Sequence, residues 1–253
     1  MARTKFQTTR RDLLALFAGG VATAISGPAL AHAPSDTLPA ETPDAGLKEP
    51  RILFVGNSIT RRHDVPSRVA ALAEKAGARV RIGMAARDGA RLRETIMSEH
   101  LTMMLDRAHW DVLVLQDHTT TPFRTDDRRL SRETMTRLAS MAEPERVLLY
   151  PPWPRAAGHP FYSRIHYGFD LTPQNPREFA NRTMEFYEKV SQEYGFTVAP
   201  VPARWLAAVE SGHPVYDTDD YHASSEGAEL AAGVLWDCLS DMLGADLSTP
   251  HQA

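Results

Sequence analysis

Five short apolar runs, separated by stretches of helical periodicity and never by a hairpin turn, constrain this chain more than any other feature. Arg51-Ile52-Leu53-Phe54-Val55 ends at Gly56, Arg79 to Met84 follows, and Asp111 to Leu115 reads Asp-Val-Leu-Val-Leu. Two further runs cover Arg146 to Tyr150 and Phe196 to Val201. After the first run, Val65, Val69, Leu72, Ala73 and Ala76 recur at helical spacing, with Asp64 and Pro66 as start signals and Gly77 as a stop. Helical patterns also cover Leu92 to Arg107, Leu130 to Ala142, Arg177 to Tyr194 and Ser225 to Leu243. Runs that are apolar throughout, without alternation, suit strands covered on both faces. Repeated strand and helix predict a three-layer α/β/α sandwich with a five-stranded parallel sheet. In such sheets ligands meet the carboxyl ends of the strands, near the switch in strand order, so chemistry is sought just past each strand.

Composition narrows the class. Of 253 residues, 43% are hydrophobic and 24% charged, the balance of a globular chain able to bury one sizeable core. The formal charge of −4 includes a basic N-terminal stretch, so the body is more acidic than that and offers no electrostatic reason to bind nucleic acid or anionic lipid. Cys238 is the one cysteine, which excludes an internal disulfide. Its surroundings, Leu235-Trp236-Asp237-Cys238-Leu239, read as the buried side of a helix and an inert thiol.

The first thirty-odd residues read as an address. Arg10-Arg11 precede a moderately apolar run from Leu13 to Ile25, and then Gly27-Pro28-Ala29-Leu30-Ala31-His32-Ala33. A basic front, a short apolar middle and small residues at a cut site describe a signal peptide over residues 1–33, cleaved after Ala31 or Ala33. The paired arginines resemble a twin-arginine export signal. Diluted by Gly19 and Gly20, the run is short for a spanning helix, which needs about 20 residues, so no stable membrane insertion is expected after cleavage. Residues 34–50 have no apolar period and read as a flexible leader; the folded domain is expected over 51–245.

Three strand ends carry candidate chemistry: Gly56-Asn57-Ser58-Ile59-Thr60, Asp88-Gly89, and Gln116-Asp117-His118. Near the C-terminus lies Asp219-Asp220-Tyr221-His222. A serine hydroxyl is a poor nucleophile until a neighbouring base takes its proton, and that base needs a carboxylate to fix its tautomer. Ser58, His222 and Asp219 supply the three parts. Ile52 to Thr60 resembles the first block of the SGNH (GDSL) hydrolases, with Gly-Asn-Ser in place of the commoner Gly-Asp-Ser. Asp219-x-x-His222 resembles their last block, and Gly89 stands where the family places an oxyanion-hole glycine. The similarity spans Arg51 to Leu243. It implies a flavodoxin-like SGNH fold, a Ser58-His222-Asp219 triad, ester hydrolysis through an acyl-serine, and no metal or organic cofactor.

One block departs from that pattern. The family's Gly-x-Asn-Asp supplies an asparagine side chain to the oxyanion, whereas this chain reads Leu115-Gln116-Asp117-His118. Gln116 carries the same amide one methylene further out and is the candidate third donor beside the N–H groups of Ser58 and Gly89, the alternative being that those two N–H groups suffice. Asn57, Asp117, His118 and Trp153 are candidates for substrate contact, Asn57 being also a turn residue tolerant of positive φ. His118, His159, His166 and His213 lack the spacing of metal ligands. The Pro-rich stretch 151–176, with Trp153, Phe161, Tyr162, Tyr167 and Phe169, is a candidate sugar-stacking wall, though the same rings also suit packing on the core. The expected substrate is a carbohydrate or other small ester. An acyltransferase with the same triad and a non-catalytic periplasmic ligand-binding protein on the same fold remain alternatives.

Overall fold

The computed structural model describes residues 49–166, 168–244 and 247. The expected signal peptide, all but the last two residues of the expected leader, and Tyr167 lie outside them. Five strands, β1 (Arg51–Gly56), β2 (Arg81–Ala86), β3 (Val112–Leu115), β4 (Arg146–Leu149) and β5 (Thr197–Val198), form one parallel sheet in the order β2-β1-β3-β4-β5. The helices between and after them are α1 (Ser58–Arg61), α2 (Val65–Lys75), α3 (Leu92–Thr95), α4 (Glu99–Arg107), α5 (Thr125–Ala142), α6 (Pro176–Tyr194), α7 (Val201–Glu210) and α8 (Ser225–Leu243).

The uninterrupted apolar character of the strands is resolved into two faces. Successive side chains of a strand point to opposite sides. Ile52 and Phe54 of β1, with Val112, Val114 and Leu148, meet Val65 and Val69 of α2, Trp205 of α7 and Ala228, Ala231, Leu235 and Leu239 of α8. Leu53 and Val55, with Leu113, Leu115 and Leu149, meet Leu92, Leu101, Met104, Met135, Leu138, Phe186 and Val190 on α3 to α6. Each fully buried Val, Leu, Ile, Phe or Met among them contributes about 1.5–3 kcal/mol of transfer free energy, so both helical layers are held by the sheet they cover. This is the three-layer α/β/α sandwich with a five-stranded parallel sheet.

Three local expectations change. The helix expected over Leu92 to Arg107 is two helices, because Ser98 turns out of the helix and its side chain accepts the Leu101 N–H at 3.3 Å, starting α4 afresh. β5 is only Thr197–Val198, and α7, hidden in the apolar run that follows, was not anticipated. Pro202 sits in the first turn of α7, where its missing N–H would have no helical partner in any case. α5 begins at Thr125, its first turn masked in the sequence by Asp126, Asp127, Arg128 and Arg129.

The strand order reverses between β1 and β3, with β2 on one side and β4 and β5 on the other. Val55 pairs with Ala85 and Leu115, and Leu115 with Leu149, so the ends of four strands are level. The loops leaving β1 and β3 therefore open side by side at the switch point, where open α/β sheets bind ligands. Among the described residues no helix is long and apolar enough to cross a membrane.

Candidate active site

The turn after β1 is built to one shape. Asn57 is buried; its Oδ1 accepts the Ile59 N–H at 3.0 Å, capping α1, and its Nδ2 donates to the Ala90 carbonyl at 3.0 Å. Gln116 Oε1 accepts the Asn57 N–H and the Thr60 hydroxyl, both at 2.9 Å, while its Nε2 donates to the Asp117 carbonyl. A Cβ on Gly56 would lie 2.3 Å from Thr60 Oγ1 and 2.7 Å from Gln116 Oε1, so only glycine fits that close packing. These bonds fix Ser58 at the first position of α1, at the switch point.

Two expectations are corrected here. The Gln116 Oε1 is spent on the turn, one Nε2–H goes to the Asp117 carbonyl, and the residue is 1% exposed, so it braces the loop that carries Ser58 instead of lining the cleft. Asn57 is a structural residue with both side-chain polar atoms engaged, not a substrate contact.

The opposite wall is the turn before α8. Asp220 adopts φ 55°, and the Asp217 N–H donates to the His222 carbonyl at 2.9 Å, folding 217–222 into a tight loop. Asp219 Oδ1 accepts the N–H groups of Tyr221 and His222 at 3.0 and 2.8 Å, and Oδ2 lies 2.6 Å from His222 Nδ1. His222 Nε2 stands 3.1 Å from Ser58 Oγ. With Nδ1 donating to the carboxylate, Nε2 is left as the acceptor of the Ser58 hydroxyl. Burial pushes the Asp219 carboxyl up, but the hydrogen bonds from His222 and Tyr221 outweigh it and hold the group down at about 2. Arg62 Nη1 sits 3.6 Å from Asp219 Oδ2, a further favourable charge. The carboxylate bonded to His222 is that of Asp219, while the Asp220 backbone carbonyl accepts the Ala156 N–H at 2.9 Å.

Gly89, in the loop after β2, adopts φ 71°, and nothing lies within 4 Å of where its Cβ would be, so conformation and not space demands glycine. Neither the Gly89 nor the Ser58 backbone N–H has an acceptor among the described residues.

Asp117 is buried and turned inward. Its Oδ1 accepts the Leu92 N–H at 2.9 Å and the His118 N–H at 2.6 Å; burial raises its pKa, opposed by the Ser131 hydroxyl and those two N–H groups. It staples the β3 loop to the start of α3 and does not face the cleft. Trp153 is likewise corrected. It is 1% exposed, stacked on Trp205 at 4.2 Å with a 4° interplanar angle, and its Nε1 donates to the Tyr221 carbonyl at 2.9 Å. It props the turn that carries His222 from behind and is no sugar wall. Phe161 and Phe169 pack with Phe123 and Phe179 in a separate apolar cluster. His118, in the loop after β3, is half-buried, with burial, Arg91 and Arg155 pushing its pKa down to about 4.

Arg155 was not flagged by the sequence. It is 9% exposed, its guanidinium lies 4.2 Å from the Phe161 ring and 4.1 Å from the Tyr221 ring, and the Tyr221 ring in turn lies 4.3 Å from that of His222, tilted by 50°. A lone arginine in an irregular loop carries no spacing signal; only folding brings it beside the His222 turn. Among the described residues no group of histidine, cysteine or acidic side chains could hold a metal. Cys238 is half-buried, and burial with Asp237 and Asp241 raises its pKa.

No family model and no curated protein matches the chain. Solved structures do. A protein assigned to the SGNH hydrolases from Slackia heliotrinireducens is 25% identical, with TM-score 0.62, over 76% of this chain and 100% of that one. The lipase/acylhydrolase from Enterococcus faecalis is 16% identical, with TM-score 0.56, over 81% of this chain and 100% of that one. An acetylxylan esterase from Geobacillus stearothermophilus is 13% identical, with TM-score 0.55, over 79% of this chain and 95% of that one. The parallel sheet, its order and these neighbours give one conclusion: the chain has the fold of the SGNH/GDSL hydrolases.

Proposed function

We propose that the protein is a serine hydrolase that cleaves a small ester, a carbohydrate ester being the favoured class, through an acyl-serine intermediate. The observation that carries the reading is the chain of hydrogen bonds from Ser58 Oγ through His222, at 3.1 Å, to Asp219, at 2.6 Å. His222 takes the Ser58 proton as Oγ attacks the ester carbonyl, and Asp219 holds the imidazole in its tautomer and offsets its charge. The carbonyl oxygen, now an anion, is held by the N–H groups of Ser58 and Gly89, which are preset by α1 and by the left-handed Gly89. His222 then protonates the departing alcohol, and water, activated by the same imidazole, releases the acid and restores Ser58. The esterase and acylhydrolase among the structural neighbours support the reaction class.

Residues 1–33 are proposed to direct export by a twin-arginine route, releasing a chain that begins after Ala31 or Ala33 into the periplasm or beyond. N-terminal sequencing of the exported protein reads the cut directly. For the chemistry, the test is turnover of 4-nitrophenyl acetate and labelling by a fluorophosphonate probe, in the wild type and in Ser58→Ala. Both are expected in the first and absent from the second. Equal turnover or labelling in Ser58→Ala removes the assignment.

A further inference from the structure

Gln116 is occupied elsewhere, yet the same loop presents another donor. Ser58 stands three residues beyond Val55, and His118 stands three beyond Leu115, the register partner of Val55 on the adjacent parallel strand. Adjacent strands are about 4.8 Å apart. The two loops are tied together by the Gln116 N–H donating to the Val55 carbonyl at 2.9 Å and the Asn57 N–H donating to Gln116 Oε1. Gly89 follows β2, on the other side of β1, so the loops that carry Gly89 and His118 leave the sheet on either side of the loop that carries Ser58.

The hydrogen bonds of His118 fix its tautomer. The Thr120 backbone N–H donates to His118 Nδ1 at 3.2 Å; an amide N–H cannot accept, so Nδ1 bears no proton. The Thr120 hydroxyl lies 2.8 Å from the same nitrogen, and Arg91 Nη2 donates to that hydroxyl at 3.2 Å, which leaves its proton for Nδ1. Burial, and then the nearby Arg91 and Arg155, disfavour an imidazolium. The neutral ring therefore carries its proton on Nε2, and Nε2 has no partner among the described residues.

We propose that His118 Nε2–H is the third hydrogen-bond donor to the oxyanion formed during ester attack, beside the N–H groups of Ser58 and Gly89. This rests on the ester-cleaving reading above. When the Ser58 Oγ–carbon bond forms, the carbonyl π pair moves onto oxygen. His118 donates a hydrogen bond to that oxygen and keeps its proton, so His222 alone carries the proton from serine to leaving group. A donor whose partner becomes fully charged only in the transition state lowers the barrier without tightening substrate binding.

His118→Phe keeps the ring's bulk and removes the donor. With 4-nitrophenyl acetate, kcat is expected to fall about 10²–10³-fold with KM within about threefold, and His118→Asn, which restores an amide N–H, to recover at least about tenfold of that loss. Unchanged kcat in a folded His118→Phe overturns the proposal, as does a fall that appears only in KM. Should His118→Phe not fold, the wild type decides by ¹⁵N-histidine NMR. On phosphonylation of Ser58 the His118 Nε2–H proton is expected to move downfield and exchange slowly, and an unmoved resonance overturns the proposal. A wild type that neither hydrolyses the ester nor labels at Ser58 would instead remove the hydrolase reading itself, a result separable from the loss of His118 alone.

Discussion

At the scale of single residues, the site works through fixed tautomers. Asp219 sets one by accepting from His222 Nδ1 at 2.6 Å, and Thr120 sets another by donating to His118 Nδ1. Asp219→Asn presents an amide where the carboxylate stood and allows His222 to turn its proton toward Ser58. The expected result is a fall in kcat of about 10⁴-fold with little change in thermal midpoint, read by steady-state kinetics beside a melting curve. Gln116 illustrates a different kind of dependence. Gln116→Leu leaves the buried Asn57 N–H and the Thr60 hydroxyl without their acceptor, at a cost of about 1–3 kcal/mol. A denaturant midpoint shift of that size, accompanied by slower turnover, is expected; a loss of rate with stability untouched would instead return Gln116 to the oxyanion.

Elements act here as rigid carriers. The first turn of α8 follows the His222 loop directly, and Gly227 in that turn lies against the Val215 carbonyl and Trp205. A Cβ there would stand 2.1 Å from Val215 O and 2.6 Å from Trp205 Cη2, and neither backbone nor stacked indole can yield cheaply. Gly227→Ala is expected to destabilise by about 1–3 kcal/mol despite alanine's better helix propensity, measured by urea unfolding. The paired Trp153 and Trp205 rings carry the load behind the Asp219-to-His222 turn. Trp153→Phe preserves an aromatic ring but removes the Nε1–H bond to the Tyr221 carbonyl. It is expected to lower kcat more than KM, because His222 loses its setting relative to Ser58 while the cleft surface is unchanged.

For the whole molecule, stability against acid follows from the same groups. Asp219 is held at about 2 in the fold against an ordinary 3.8, so its contribution is present above pH 4 and fades as pH falls from about 4 to about 2. His118 is held at about 4 against 6.5, so between those values the unfolded chain binds a proton that the fold refuses. Stability therefore falls as pH drops from 6.5 toward 4, and His118→Phe should flatten that limb in a series of urea midpoints. Much of this molecule was legible along the chain. The five apolar runs gave the sheet, and Asp219-x-x-His222 fits a single turn. What could not be read was which polar side chains spend their hydrogen bonds inward. Gln116, Asn57 and Asp117 look like cleft residues because they follow strands, yet each is consumed by neighbouring loops, and Trp153 by a second indole half a hundred residues away. α7 stayed hidden because its apolar residues continue those of β5. Periodicity and local backbone preference are properties of neighbours in sequence, so the sequence alone determined the layers and the sheet. Hydrogen-bond valence is satisfied in space, so only the tertiary structure decided which polar groups are consumed inside the loops and which, like His118 Nε2, keep no partner among the described residues.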